Sequence, residues 1–147
     1  MTSVLGKPDL ESSIWISRPP EDIWEFVYDV SNDTEWRGGV NSAKWVSDPP
    51  YGVGSTGLHI IEGIGDWPWR ATAFEEPHVM AWEVTGGRFE GSHGAYHIEP
   101  EAKGSRFTLE TRMKRGVIIS LMMIFLKGTI KRQNVTDLEK LKAIMEA

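Results

Sequence analysis

The chain of 147 residues contains no cysteine. That absence removes disulfides, Cys-ligated zinc, iron–sulfur clusters and thiol nucleophiles together, and it fits a reducing cytoplasm, the compartment expected here. No apolar run approaches the roughly 20 residues that a membrane-spanning helix needs. The longest, VIISLMMIFL at 117–126, suits a buried helix instead, and Met1 to Leu10 lack the apolar centre of a signal peptide. Bases are in the minority, 16 Lys and Arg against 21 Asp and Glu, so the formal net charge is −5. Mixed along the chain, these charges form no basic stripe, and nucleic acid is not an expected partner. His59, His78, His93 and His97 have no ligand spacing such as HExxH, so no metal is expected. Neither GIG at 63–65 nor GVGST at 52–56 makes a dinucleotide fingerprint or a nucleophile elbow, and no cofactor is implied.

What is present is punctuation. No repeat or linker divides residues 1–147, which read as one domain. SSIWIS at 12–17 alternates as a first strand, Pro19-Pro20 ends it, and Pro20 suits an early helical position. Ile23, Trp24, Phe26, Val27 and Val30 then recur at helical spacing, giving a short helix whose stripe packs on a sheet. A second short turn at 32–37 holds Trp36. From VNSAKWVS at 40–47 onward, short strands are broken by DPPYGVG, GIGDWP, EEPH, TGG and EAKGS, the spacing of an antiparallel meander. After Gly116 no proline occurs, and Val117, Leu121, Ile124, Gly128, Val135, Leu138, Leu141 and Met145 predict one long helix to the C-terminus. Its first half is apolar almost all round and so should be covered on several sides. The expected fold is α+β: a curved antiparallel sheet wrapped around a long C-terminal helix, with two short helices between the first two strands.

In this order the elements resemble the START-like, or SRPBCC, superfamily of helix-grip proteins, in its polyketide cyclase/dehydrase and lipid-transport branch. ISRPPEDIWEFVYDVSNDTEW carries the resemblance, supported by YGVGSTG, FEEPHVMAWEV and the closing LEKLK. The resemblance implies a cavity between sheet and long helix, closed at one end by the short helices, and hence a ligand-facing place for Trp36.

Alternation assigns the faces of three strands. Met80, Trp82 and Val84 point inward on one, Tyr96 and Ile98 on the next, and Phe107, Leu109, Thr111 and Met113 on the last. His97, Glu99, Thr108, Glu110 and Arg112 point outward. Tyr96 and Thr111 are hydroxyls on an apolar wall, each needing a protein group, a water or a ligand. The strand carrying Trp67, Trp69 and Arg70 mixes apolar and polar residues on both faces and is left unoriented. Arg70, if inward, would anchor a carboxylate or phosphate. Leu121, Ile124 and Phe125 are expected as the opposite wall, adapted by the unbranched Met122 and Met123, with Gly128 allowing close approach or leaving room for ligand, since Gly inside a helix costs about 1 kcal/mol relative to Ala.

The leading expectation is a module binding one hydrophobic or amphipathic small molecule, lipid- or polyketide-like, against Trp36, Trp82, Tyr96, Phe107, Thr111 and Met113. The alternative is a cyclase or dehydratase acting on a hydrophobic substrate in that cavity. A His–Tyr pair from HGAYHIE at 93–99 would suit it, though His97 is expected outward. A third reading is an interaction module, with a homodimer possible through VIISLMMIFL.

Overall fold

Leu10–Ile16 alternates apolar residues along one face and forms β1, pairing antiparallel with the last strand so that Ile14 lies opposite Phe107. A computed structural model of the protein describes residues 3–147. After β1 come α1 (Pro20–Val27), a 3₁₀ turn over Val30–Asn32, and α2 (Asp33–Trp36). The strands β2 (Val40–Trp45), β3 (Thr56–Ile61), β4 (Gly65–Glu75), β5 (Val79–Val84), β6 (His93–Glu101) and β7 (Gly104–Arg112) follow, then α3 (Val117–Glu146). All pairings are antiparallel, in the order β1-β7-β6-β5-β4-β3-β2. The expected helix-grip architecture is therefore present, and α3 begins directly after Gly116, as its lack of proline requires.

Pro20 opens α1 with its φ already helical, and Ile23, Trp24 and Val27 are buried as one stripe. Asp29 caps the following turn by accepting the Ser31 backbone N–H. Trp24 meets Phe74 edge-on at 5.2 Å and lies 6.2 Å from Tyr96, so this helix is pinned to the middle of the sheet.

β4 could not be oriented from alternation because its phase changes midway. A bulge between Ala71 and Ala73 shifts the register against β5, so Trp67, Trp69 and Ala71 face the concave side before it and Phe74 faces it after. Arg70 falls on the convex side, where it is half exposed and lies 3.4 Å from Glu83. It therefore does not anchor anything in the interior, which corrects the reading that placed it among the ligand contacts.

The convex side also differs from expectation. His97, Thr108 and Glu110 do point outward, yet all three are buried. Residues 3–5 cross over this part of the sheet: Ser3 Oγ and the Val4 and Leu5 backbone N–H groups donate to the Glu110 carboxylate, and His97 Nε2 sits 3.0 Å from it. His97 and Tyr96 consequently occupy opposite faces and form no acid–base pair.

α3 departs most from its expected packing. Ile119, Asn134, Asp137, Leu138 and Leu141 are its buried positions, whereas Leu121, Ile124 and Phe125 are exposed. The expected wall was read at a spacing of 3.5 residues, which drifts by about 20° per heptad from a straight helix. Over three heptads the drift carries 117, 121 and 124 off the face that Leu138 and Leu141 bury. Gly128 lies on that outer side, where an added Cβ would meet only the Arg132 guanidinium at 3.6 Å, so neither close approach nor ligand space explains it.

Two glycines test this packing in opposite directions. Gly57 faces the Trp69 ring, and a Cβ there would lie 2.1 Å from it. Gly57→Ala should lower stability in chemical denaturation by about 1–3 kcal/mol, the usual cost of overpacking. Gly128→Ala should instead raise it by roughly 1 kcal/mol, the difference in helix propensity.

Candidate functional site

The concave face is a continuous row of aromatic rings. Trp36, at the end of α2, meets Phe107 of β7 edge-on at 5.8 Å. Phe107 stacks on Tyr96 of β6 at 5.3 Å, and Tyr96 lies 6.0 Å from Trp82 of β5. Trp36, Tyr96 and Phe107 are buried, but Trp82 is half-buried. Trp82 has room because β6 carries Gly94 opposite it, where a Cβ would fall 2.4 Å from the indole. The four aromatic residues expected to share a face are thus brought together. Thr111 and Met113, at the end of β7, are half-buried and lie towards the open end of this row.

The helix supplies only part of the expected wall. Ile119 joins Val84 and Phe89 in a second cluster, with Trp67, Met113, Met122 and Met123 packed around it. Of the expected wall only Met122 and Met123 turn inward, while Leu121, Ile124 and Phe125 do not. Both methionines are only half-buried, as are Trp67 and Met113 packed with them and Trp82 and Thr111 on the concave face. Further along, α3 packs chiefly on β1 and α2. The helix is therefore sealed around Leu138 and Leu141 and less completely buried around Met122 and Met123.

Polar groups lie under the aromatic row. Asp33 and Trp36 are one helical turn apart on α2 and both are buried. The Trp69 indole N–H donates to His59 Nδ1 at 2.8 Å, and His59 Nε2 lies 2.7 Å from Asp33 Oδ2. An indole can only donate, so Nδ1 must accept and the ring proton sits on Nε2, from which it is donated to Asp33. The chain Trp69–His59–Asp33 thus runs from β4 through β3 to α2 with each donor matched. Tyr96 donates its hydroxyl to Met80 Sδ at 3.3 Å. Burial, and secondarily the Asp33 charge, push the Tyr96 phenol well above its usual 10.0. The Trp36 indole N–H is buried with no acceptor among the described residues.

Asp33 and His59 were not marked as site residues in the sequence, where His59 was weighed as a metal ligand. In TGLHII the apolar residues Leu58 and Ile60 suggest the opposite phase. The usable signal was Gly57, which shares the concave face with His59 and makes space for Trp69. Among the described residues no three His, Asp or Glu side chains converge in a way that would hold a metal ion, and no helix is long and apolar enough to cross a membrane.

A curled antiparallel sheet gripping a C-terminal helix, with an aromatic concave face between them, defines a helix-grip protein. The chain belongs to the family described as polyketide cyclase / dehydrase and lipid transport, whose model matches residues 7–146. No curated protein matches it. Among solved structures, a protein from Thermus thermophilus is similar with a TM-score of 0.73 at 16% identity, covering 92% of this chain and 95% of its own. The Zhui aromatase/cyclase of Streptomyces sp. R1128 is similar with a TM-score of 0.70 at 13% identity, covering 93% and 92%. The di-domain aromatase/cyclase StfQ of the steffimycin biosynthetic pathway gives 0.71 at 11% identity, covering 93% of this chain and 50% of its own. At these identities the likeness is one of fold.

The raised Tyr96 pKa has a measurable consequence. The folded protein holds this phenol neutral, while the unfolded chain releases the proton near 10, so alkali above about 10 draws the equilibrium toward unfolding. In an alkaline absorbance titration, one of the protein's three tyrosines should ionise well after the usual phenol range or only with unfolding. Tyr96→Phe should remove that late component.

Proposed function

We propose that the protein, acting as one ligand-binding domain over residues 1–147, holds a hydrophobic or amphipathic small molecule of lipid- or polyketide-like character between the sheet and the first half of α3. One observation carries this reading. Trp67, Met113, Met122 and Met123 gather around the cluster of Val84, Phe89 and Ile119 yet remain half-buried, and Trp82 and Thr111 on the concave face are half-buried too. Large apolar side chains that face each other across a core are normally sealed from water, because burying each contributes about 1.5–3 kcal/mol. Here that stabilisation is left incomplete, as in a pocket that a ligand finishes. Methionine suits such a wall, since its unbranched thioether adapts to differently shaped partners. The aromatic row forms the floor of this site.

The rival reading is a cyclase or dehydratase in the same cavity, favoured by Asp33, His59 and Tyr96 lying beneath it and by the fold shared with two aromatase/cyclases. Against it, both His59 ring nitrogens are already engaged. A general base needs a free lone pair within reach of the substrate proton, and this histidine has given its own to Trp69. The chain Trp69–His59–Asp33 reads better as a brace that orients the aromatic floor.

Uptake of an apolar fluorescent probe tests the site. Met123→Trp should fill the gap and abolish probe binding with little change in the thermal midpoint. Unaltered probe binding would place the ligand elsewhere. Trp82→Ala should weaken probe binding but cost less than the roughly 3–5 kcal/mol typical of a fully buried tryptophan, because its ring is only half-buried. If His59→Gln left probe binding intact yet abolished turnover of a polyketide-like substrate, the enzyme reading would stand instead.

A further inference from the structure

Turning Ile119, Met122 and Met123 inward leaves the opposite side of α3 bare. Val117, Ile118, Leu121, Ile124 and Phe125 are 77%, 78%, 51%, 73% and 80% exposed. Single exposed apolar side chains are ordinary on a protein surface, but five within nine residues on one helix side form a contiguous patch, which marks an interaction surface.

The charge around the patch says what it meets. Between Thr111 and Thr136 stand Arg112, Lys114, Arg115, Lys127, Lys131 and Arg132 and not one acid, in a chain whose formal net charge is −5. Arg115 borders the N-terminal end of the patch, where it also pairs with Asp9 at 3.3 Å. Lys127, Lys131 and Arg132 are exposed and border its other end. A second copy is a poor occupant. Two such helices paired antiparallel about Leu121 bring Lys127 of one against Arg115 of the other, like charge on like. An apolar stripe with basic residues at both ends is instead the pattern of a helix that lies in the plane of a membrane interface, its apolar side among the acyl chains and its bases among anionic head groups.

We propose that the first half of α3 is a peripheral docking surface for an anionic lipid bilayer. Val117, Ile118, Leu121, Ile124 and Phe125 enter the interface, while Lys127, Lys131 and Arg132 meet lipid phosphates. The surface does not depend on the pocket reading, because it lies on the other side of the same helix from Met122 and Met123.

Sedimentation of the whole protein with lipid vesicles, with no small ligand added, tests the proposal. Binding to vesicles of mixed phosphatidylglycerol and phosphatidylcholine should exceed binding to phosphatidylcholine alone, and it should weaken as salt is raised. Ile124→Glu with Phe125→Glu should reduce it by about tenfold or more, since two apolar side chains no longer insert. Lys127→Glu with Lys131→Glu should do the same. These side chains are exposed, so the thermal midpoint of each variant should match that of the parent, which separates lost docking from lost folding. No preference for anionic vesicles, or equal binding by the Glu variants, would overturn the proposal. So would a dimer in solution that Ile124→Glu with Phe125→Glu converts to monomer, for the patch would then belong to a second copy.

Discussion

One buried carboxylate sets how the long helix meets the rest of the molecule. Asp137 accepts the Gly38 backbone N–H at 3.0 Å and the Gln133 amide at 2.7 Å, and it faces Arg37 Nε at 3.6 Å. Its side chain is almost wholly removed from water, so these partners must compensate the loss of solvation. Gly38 leaves the Gln133 amide room beside this carboxylate, since a Cβ there would displace that side chain and press on Asp137 Oδ1 at 3.2 Å. Rotating α3 by even one residue would withdraw the carboxylate and leave a backbone donor and a guanidinium unpaired, at a cost of several kcal/mol. Asp137 therefore selects the phase of the helix, and Leu138 and Leu141 follow it into the core.

That choice explains both unusual features of α3. With Asp137 facing α2, a straight helix turns Ile119, Met122 and Met123 toward the sheet and Val117, Leu121, Ile124 and Phe125 away from it. The contact also places α2. Arg37 lies over the Trp36 ring at 5.2 Å, and Trp36 in turn meets Phe107. Asp33, one turn earlier, is held where His59 can reach it. Full burial at one end and partial burial at the other are thus two results of a single docking event. The proposed pocket and the bare apolar face belong to opposite sides of the same short stretch of helix.

The order of elements was legible because it rests on local chemistry. Pro19-Pro20, Gly116 and the Gly- and Pro-rich turns mark boundaries that few other residue types would produce. The inward faces of β5, β6 and β7 were legible too, because Met80, Trp82, Tyr96, Phe107 and Leu109 alternate without interruption. Three features were not. β4 carries a bulge, which reverses the phase between Ala71 and Phe74 and makes both faces look mixed. α3 is apolar on all sides over 117–126, so periodicity cannot tell which side is buried, and the deciding group, Asp137, lies further along the helix. The burial of Glu110 and His97 depends on residues 3–5 returning across the sheet, a long-range contact with no local signature. The site shared these obstacles: its aromatic floor was readable, whereas Arg70, the helix wall and the Asp33–His59 pair each depended on one of them or on the space that Gly57 leaves.

The electrostatics of the interior bear on what the proposed ligand is. Arg70, which would have favoured a carboxylate or phosphate, lies outside, and Arg37 is engaged with Asp137 and Trp36. Asp33 places a negative charge beneath the aromatic floor, and Tyr96 stays neutral partly because of it. An anionic head group in the same space would be repelled by Asp33, desolvated on entry, and would still find no free cation among the described residues that line the gap. A neutral molecule avoids both costs. Its apolar body can complete the burial of Trp82, Met113, Met122 and Met123. The reading therefore narrows toward uncharged hydrophobic molecules and away from fatty acids, while the basic residues that would suit an anion stand outside on α3, where the proposed partner is a surface.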